Sequence, residues 1–99
     1  MRLFLCLDLL SMTPHFVYIL YSQTIDKYYV GKSEIVENRL NYHNSDSNKI
    51  WTKRGKPWEL KKAIEFENST LASKAERFIK KQKSRIFIER IISEGWNSI

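Results

Sequence analysis

Apolar residues follow strand-like and helix-like patterns in turn along the chain. Phe16–Tyr21, FVYILY, is continuous, β-branched and aromatic, which reads as a buried strand. A polar connection, Ser22–Asp26, leads to Lys27–Lys32, KYYVGK, a second strand ending near a glycine. Two strands so closely joined predict a β-hairpin. If the turn is the four residues Gln23–Asp26, alternation puts Tyr18, Tyr29 and Gly31 on one face. Ser33 can cap a helix over Glu34–Asn44 whose apolar face is Ile35, Val36, Leu40 and Tyr42. Arg39 and His43, four apart, share one side of it. Asn44–Asn48 has loop chemistry and Gly55-Lys56-Pro57 reads as a turn. Trp58, Leu60, Lys62, Ile64 and Phe66 then alternate with Glu59, Lys61, Ala63 and Glu65, a third strand with one wet face. Asn68-Ser69-Thr70 offers an N-cap for a helix to about Lys83, with a buried stripe of Leu71, Ala75, Phe78 and Ile79. Ser84 can cap a last helix, Arg85–Glu94, packed by Ile88, Ile91 and Ile92 and stopped at Gly95. The order β-β-α-β-α-α predicts an α+β fold: a small three-stranded antiparallel sheet flanked by helices.

The first fourteen residues fit this scheme poorly. Leu3–Leu10 is apolar behind Arg2, but Asp8 interrupts it and no small-residue cleavage site follows. The run is far short of the roughly 20 residues that span a bilayer. Residues 1–14 are therefore expected to be an arm outside the fold, with 15–99 forming the domain. Met12 is a candidate true start; the other reading is a short apolar arm packed on the domain or on a partner. Ninety-nine residues make one domain with a modest core. The single cysteine, Cys6, allows no internal disulfide and excludes a zinc site built from two or more cysteines. A reducing compartment, the cytoplasm, is the expected location.

Charge changes the picture more. Lys and Arg number 17 against 11 Asp and Glu, a net +6. Residues 1–48 hold four basic and five acidic side chains, whereas residues 49–90 hold thirteen and five. A basic half points either to a polyanion partner or to a solvated lysine-rich face. No feature points to a membrane or to a protein partner.

Taken singly, the polar residues have ordinary explanations. A strand tyrosine is usually a packing residue with a polar tip. Glu76 can pair with Lys80 one helical turn on. Trp51, Trp58 and Trp96 read as core or edge packing before stacking platforms. The ordered set says more: Phe16-Val17-Tyr18, Tyr29-Val30-Gly31-Lys32, Arg39-Leu40, His43-Asn44 and Ala75-Glu76. It resembles the GIY-YIG nuclease superfamily, in particular its small single-domain members and the N-terminal nuclease domain of the bacterial excision-repair incision subunit. The resemblance covers residues 16 to about 92. Phe16 stands in place of the first glycine and Val30 in the middle of the second motif. Ile88 stands near the position where some members carry an asparagine.

The resemblance implies a metal-dependent DNA endonuclease that hydrolyses phosphodiester bonds, structure-selective or weakly sequence-selective, in DNA repair or processing. Tyr18 would be the general base or proton relay, and Tyr29 would position the water or share the proton. Arg39 would meet charge on the phosphate, and His43 would bond the phosphate or assist proton transfer. Glu76 would hold a divalent cation, Mg2+ or Mn2+, which prefers oxygen ligands. Gly31 would let substrate approach the sheet, and Lys32, Lys80 and Lys81 would bind its phosphates. A tyrosine base needs nearby positive charge, because its ordinary pKa is near 10; Lys32 and the cation are the expected sources. The alternative is a non-catalytic nucleic-acid-binding module on the same fold, which the basic half would serve equally well.

Overall fold

The computed structural model describes residues 13–98. The arm expected over residues 1–14 falls almost wholly outside the described residues. Along the chain run β1 (His15–Ser22), β2 (Lys27–Ser33), α1 (Val36–Asn44), a 3-10 turn (Trp51–Gly55), β3 (Trp58–Phe66), α2 (Ser69–Gln82), α3 (Arg85–Glu94) and a final 3-10 turn (Trp96–Ser98). The strands form one antiparallel sheet in the order β2-β1-β3. This is the α+β arrangement read from the sequence.

Four residues link β1 to β2, as the face argument required, and Tyr18 sits opposite Gly31 while Leu20 sits opposite Tyr29. Asp26 takes the left-handed conformation there at φ 51°, which aspartate tolerates better than most residues. β1 is apolar on both sides because both sides are covered. Val17 and Ile19 join Val30 beneath α2 and α3, against Ala72, Ala75, Ile79 and Ile91. Tyr18 and Leu20 join Trp58 on the other face, with Val36 and Leu40 of α1 against them. Each fully buried aliphatic side chain stabilises the fold by roughly 1.5–3 kcal/mol.

Three sequence expectations need correcting. The third strand does not keep one face. Its register with β1 shifts between Ile19 and Leu20, so Lys62 faces Ile19 while Leu60, not Lys61, faces Leu20. The extra residue is a bulge, which flips the alternation. Trp58 therefore packs on the Tyr18 face and Ile64 and Phe66 on the Ile19 face. On α2 the buried stripe is Ala72, Ala75 and Ile79, while Leu71 and Phe78 are exposed. Two alanines let the helix backbone sit close to the sheet, where larger side chains would hold it off. The first helix begins at Val36, not Glu34. β2 runs on through Ser33, whose hydroxyl bonds the N–H of Ile35 in a local turn instead of capping a helix. Ile35 is left exposed.

The last two helices start as predicted. Asn68 accepts from the N–H of Leu71 and Ser84 from that of Phe87. Gly95, at φ 88°, ends α3.

Candidate active site

On the α1 face of the sheet, Tyr18 is 1% exposed and His43 is fully buried. α1 crosses this face on Val36 and Leu40, which brings His43, one turn beyond Arg39, over the tyrosine pair. Tyr18 Oη lies 3.1 Å from His43 Nε2. The rings of Tyr18 and Tyr29 are 6.1 Å apart, and those of Tyr29 and His43 are 4.6 Å apart. Asn44 ends α1 by clasping the first residue of β3. Its side chain donates to Trp58 O at 3.0 Å and accepts from Trp58 N–H at 2.6 Å.

Gly31 stands opposite Tyr18, and a Cβ there would overlap the Tyr18 hydroxyl. The space beside this glycine is filled by the phenol, so Gly31 positions Tyr18 and does not make room for substrate. Lys32 is also elsewhere. Alternation turns it to the opposite face, where its ammonium donates to Ser69 Oγ at 3.0 Å and Ser73 Oγ at 2.8 Å, tying β2 to α2. It is not the cation beside the tyrosines.

Two residues that sequence reading missed complete the centre. His43 Nδ1 lies 2.9 Å from Thr52 Oγ1. Asn48 donates to that same oxygen at 2.8 Å and to the backbone carbonyl of His43 at 2.9 Å. The Asn48 side-chain oxygen accepts from Ile50 N–H at 2.9 Å, which fixes the amide's orientation. Thr52 must then accept from Asn48. The acceptor left for its own proton is His43 Nδ1, so we assign the neutral imidazole its proton on Nε2, donating to Tyr18 Oη. The opposite tautomer would strand the hydroxyl proton of Thr52, which is fully buried, at about 1–3 kcal/mol. The chosen one sends the Tyr18 proton to the Tyr29 side.

Burial pulls the His43 pKa down to about 4, and the charge of Arg39 adds to the effect, so the ring is neutral at pH 7. Burial pushes Tyr18 up to about 12; Arg39 opposes the rise and Tyr29 adds to it. Burial outweighs the cation. Ionising Tyr18 at pH 7 would cost roughly 7 kcal/mol in the protein alone.

Glu76 and Lys80 lie on α2, the helix packed on the opposite face of the sheet. Glu76 Oε2 meets Lys80 Nζ at 3.2 Å, the pairing expected from their spacing, and Lys80 Nζ stands 5.8 Å from the Tyr29 ring centroid. The Glu76 side chain is 21% exposed. Lys81 is exposed beside it. Arg39 packs its guanidinium 4.7 Å from the Tyr42 ring. Among the described residues, no group of three or more His, Cys, Asp and Glu gathers as a metal site.

A tyrosine pair, an arginine and a histidine now sit together on one sheet face, and Glu76 is linked to them through Lys80. The family model of the GIY-YIG catalytic domain matches residues 14–89. The chain belongs to the GIY-YIG family. Comparison with curated proteins and with solved structures returned no match. The fold is thus of nuclease type, and GIY-YIG nucleases act on DNA and typically use divalent metals. In this GIY-YIG domain Phe16, at the first motif position, is half-buried in β1. Ile88, near the position where some members carry an asparagine, packs against the core. Among the described residues no helix is long and apolar enough to cross a membrane.

Proposed function

We propose that this GIY-YIG domain is a metal-dependent DNA endonuclease, hydrolysing phosphodiester bonds in DNA repair or processing with structural or weak sequence selectivity. The donor chain Asn48–Thr52–His43–Tyr18 carries the reading. A buried polar chain of four side chains, aimed at one hydroxyl, has no role in packing that apolar residues would not fill as well.

In this reading His43 Nε2–H holds one side of the Tyr18 oxygen, so that its proton turns toward Tyr29. Tyr18 first loses its own proton to solvent, and the His43 donor and the Arg39 charge steady the phenolate. The phenolate then takes a proton from the attacking water, and the departing sugar oxygen takes one from solvent. Tyr29 orients the water. Arg39 meets the charge that builds on the phosphate oxygens.

Glu76 fits a hard divalent cation, Mg2+ or Mn2+. Its bond to Lys80 uses Oε2 alone, the carboxylate is partly exposed, and one protein carboxylate with phosphate and water is a common magnesium donor set. Such a cation, when bound, supplies positive charge that lowers the ionisation cost of Tyr18 and neutralises the phosphate.

The test measures binding and single-turnover cleavage on the same DNA. Tyr18→Phe and Glu76→Ala should keep DNA affinity and lose cleavage by about a hundredfold or more. If wild type cuts nothing in Mg2+ or Mn2+, the domain is a DNA-binding module. If Glu76→Ala cuts as well as wild type, Glu76 is only the partner of Lys80.

A further inference from the structure

Tyr29 also borders a second feature, a cleft of about 600 Å³ along the free edge of β2, walled by Trp51 and by the junction of α2 and α3. Its lining joins an aromatic surface to several cations. Trp51 is 49% exposed, although its ring is anchored edge-on against Tyr29 at 5.9 Å and Trp58 at 5.8 Å. The other two tryptophans behave differently: Trp58 is buried, and Trp96 packs on Phe66 and Phe78. Trp51 is thus a rigidly mounted indole with an open surface beside the candidate site.

Charge decides what that surface fits. Lys27, Lys80, Lys83 and Arg85 line the cleft, against the single acid Asp26. Arg85 already pairs with Asp26 at 2.6 Å and Glu89 at 3.3 Å. Lys80 pairs with Glu76, whereas Lys27 and Lys83 meet no acid among the described residues. An apolar protein segment would desolvate these ammonium groups without compensation. A nucleotide would use both halves of the lining, its base on the indole and its phosphates on the lysines.

We propose that this cleft receives an unpaired nucleotide next to the scissile phosphate, its base against Trp51 and its phosphates facing Lys80 and Lys83. The inference rests on the nuclease reading of the neighbouring site and narrows its substrate class. A base held in a duplex stack cannot reach the indole without being unpaired. The preferred substrate is therefore DNA with single-stranded nucleotides beside the cut, such as a flap or fork, and not uninterrupted duplex.

The test has a binding arm and a cleavage arm. In EDTA, affinity is measured for a single-stranded oligonucleotide and for a blunt duplex of the same sequence. Trp51→Ala should lower single-strand affinity by about tenfold or more, Trp51→Phe should restore most of it, and duplex affinity should hold in both. Thermal melting checks that each variant is folded. Lys83→Asn, which suits the left-handed backbone at φ 49°, is the second variant. It should weaken single-strand binding and lower the salt slope by about one. In Mg2+, a fork should be cut faster than the matched duplex, and Trp51→Ala should remove that preference.

Equal effects of Trp51→Ala on both DNAs, or none on either, would overturn the proposal while leaving the nuclease reading intact. Failure of wild type to cut any DNA would overturn the nuclease reading, and the binding arm would still decide whether the cleft takes an unpaired base.

Discussion

Replacing Thr52 by Val keeps a similar shape but removes the hydroxyl on which the orientation of His43 depends. Asn48 loses an acceptor and His43 Nδ1 a donor, so the buried network is left with unmatched groups. The expected loss of stability is about 1–3 kcal/mol, read from urea unfolding. Single-turnover cleavage should fall by about tenfold to a hundredfold with DNA affinity unchanged, and Thr52→Ser should restore both. Rate loss without rescue by serine would show that the hydroxyl is not what matters. His43 gives a second prediction, in pH. Its pKa falls from an ordinary 6.5 to about 4 on folding, so below pH 6.5 the unfolded chain binds the extra proton. Stability is fully present above pH 6.5 and is lost as pH falls toward 4, by up to about 3 kcal/mol. Urea midpoints from pH 7.5 to 4.5 should show this loss in wild type and a shallower one in His43→Gln. Equal slopes would mean that His43 is not the titrating group. Much of this centre was legible in the chain. Turn parity put Tyr18, Tyr29 and Gly31 on one face, and helical spacing set Arg39 one turn before His43. Asn48 and Thr52 were not legible, because a loop entering a 3-10 turn has no period from which to read direction.

At the scale of elements, the bulge in β3 decides which face each residue covers. Without it, Ile64 and Phe66 would lie on the same face as Trp58. Deleting Lys61, the unpaired residue, leaves Leu60 and Lys62 opposite Leu20 and Ile19 in a regular ladder, with Trp58 and the Ile64–Phe66 pair still on their own faces. A retained cooperative thermal transition is the expected outcome. Loss of that transition would show that the fold needs the bulge itself and not only the faces it sets. A conservative Lys61→Ala keeps the backbone count and should melt within a few degrees of wild type, since this side chain is exposed and its partner is the exposed Glu59. The same contrast explains what the pattern of apolar residues revealed. Helix ends are set by local chemistry, and the caps at Asn68 and Ser84 and the stop at Gly95 stand where the chain says. A bulge has no residue signature in WELKKAIEF. The α2 stripe departs from the hydrophobic pattern for a related reason: the large apolar Leu71 and Phe78 are exposed, while Ala72 packs because it is small.

For the whole molecule, the question is where the basic charge stands relative to the centre. The excess lies in residues 49–90, and its members Lys80 and Lys83 line the cleft that borders Tyr29. Binding that rests on phosphate contacts releases counterions, so DNA affinity should fall linearly in log–log form as salt rises. The two neighbouring lysines of α2 should then separate two effects. Lys81 is exposed and in no ion pair among the described residues, so Lys81→Glu should weaken binding to every DNA alike and reduce the salt slope. Lys80 is bonded to Glu76, so Lys80→Glu sets two carboxylates one turn apart. It should weaken binding too. It should also change the concentration of Mg2+ needed for cleavage, because the proposed ligand then shares its surroundings with a second acid in place of an ammonium. Fluorescence anisotropy between 50 and 200 mM salt, with magnesium titrations of the cleavage rate, separates the two variants. If both shift affinity alone, Glu76 does not govern the metal requirement. If affinity proves independent of salt, the basic half is a solvated face, and Lys80 and Lys83 of the cleft make no phosphate contacts.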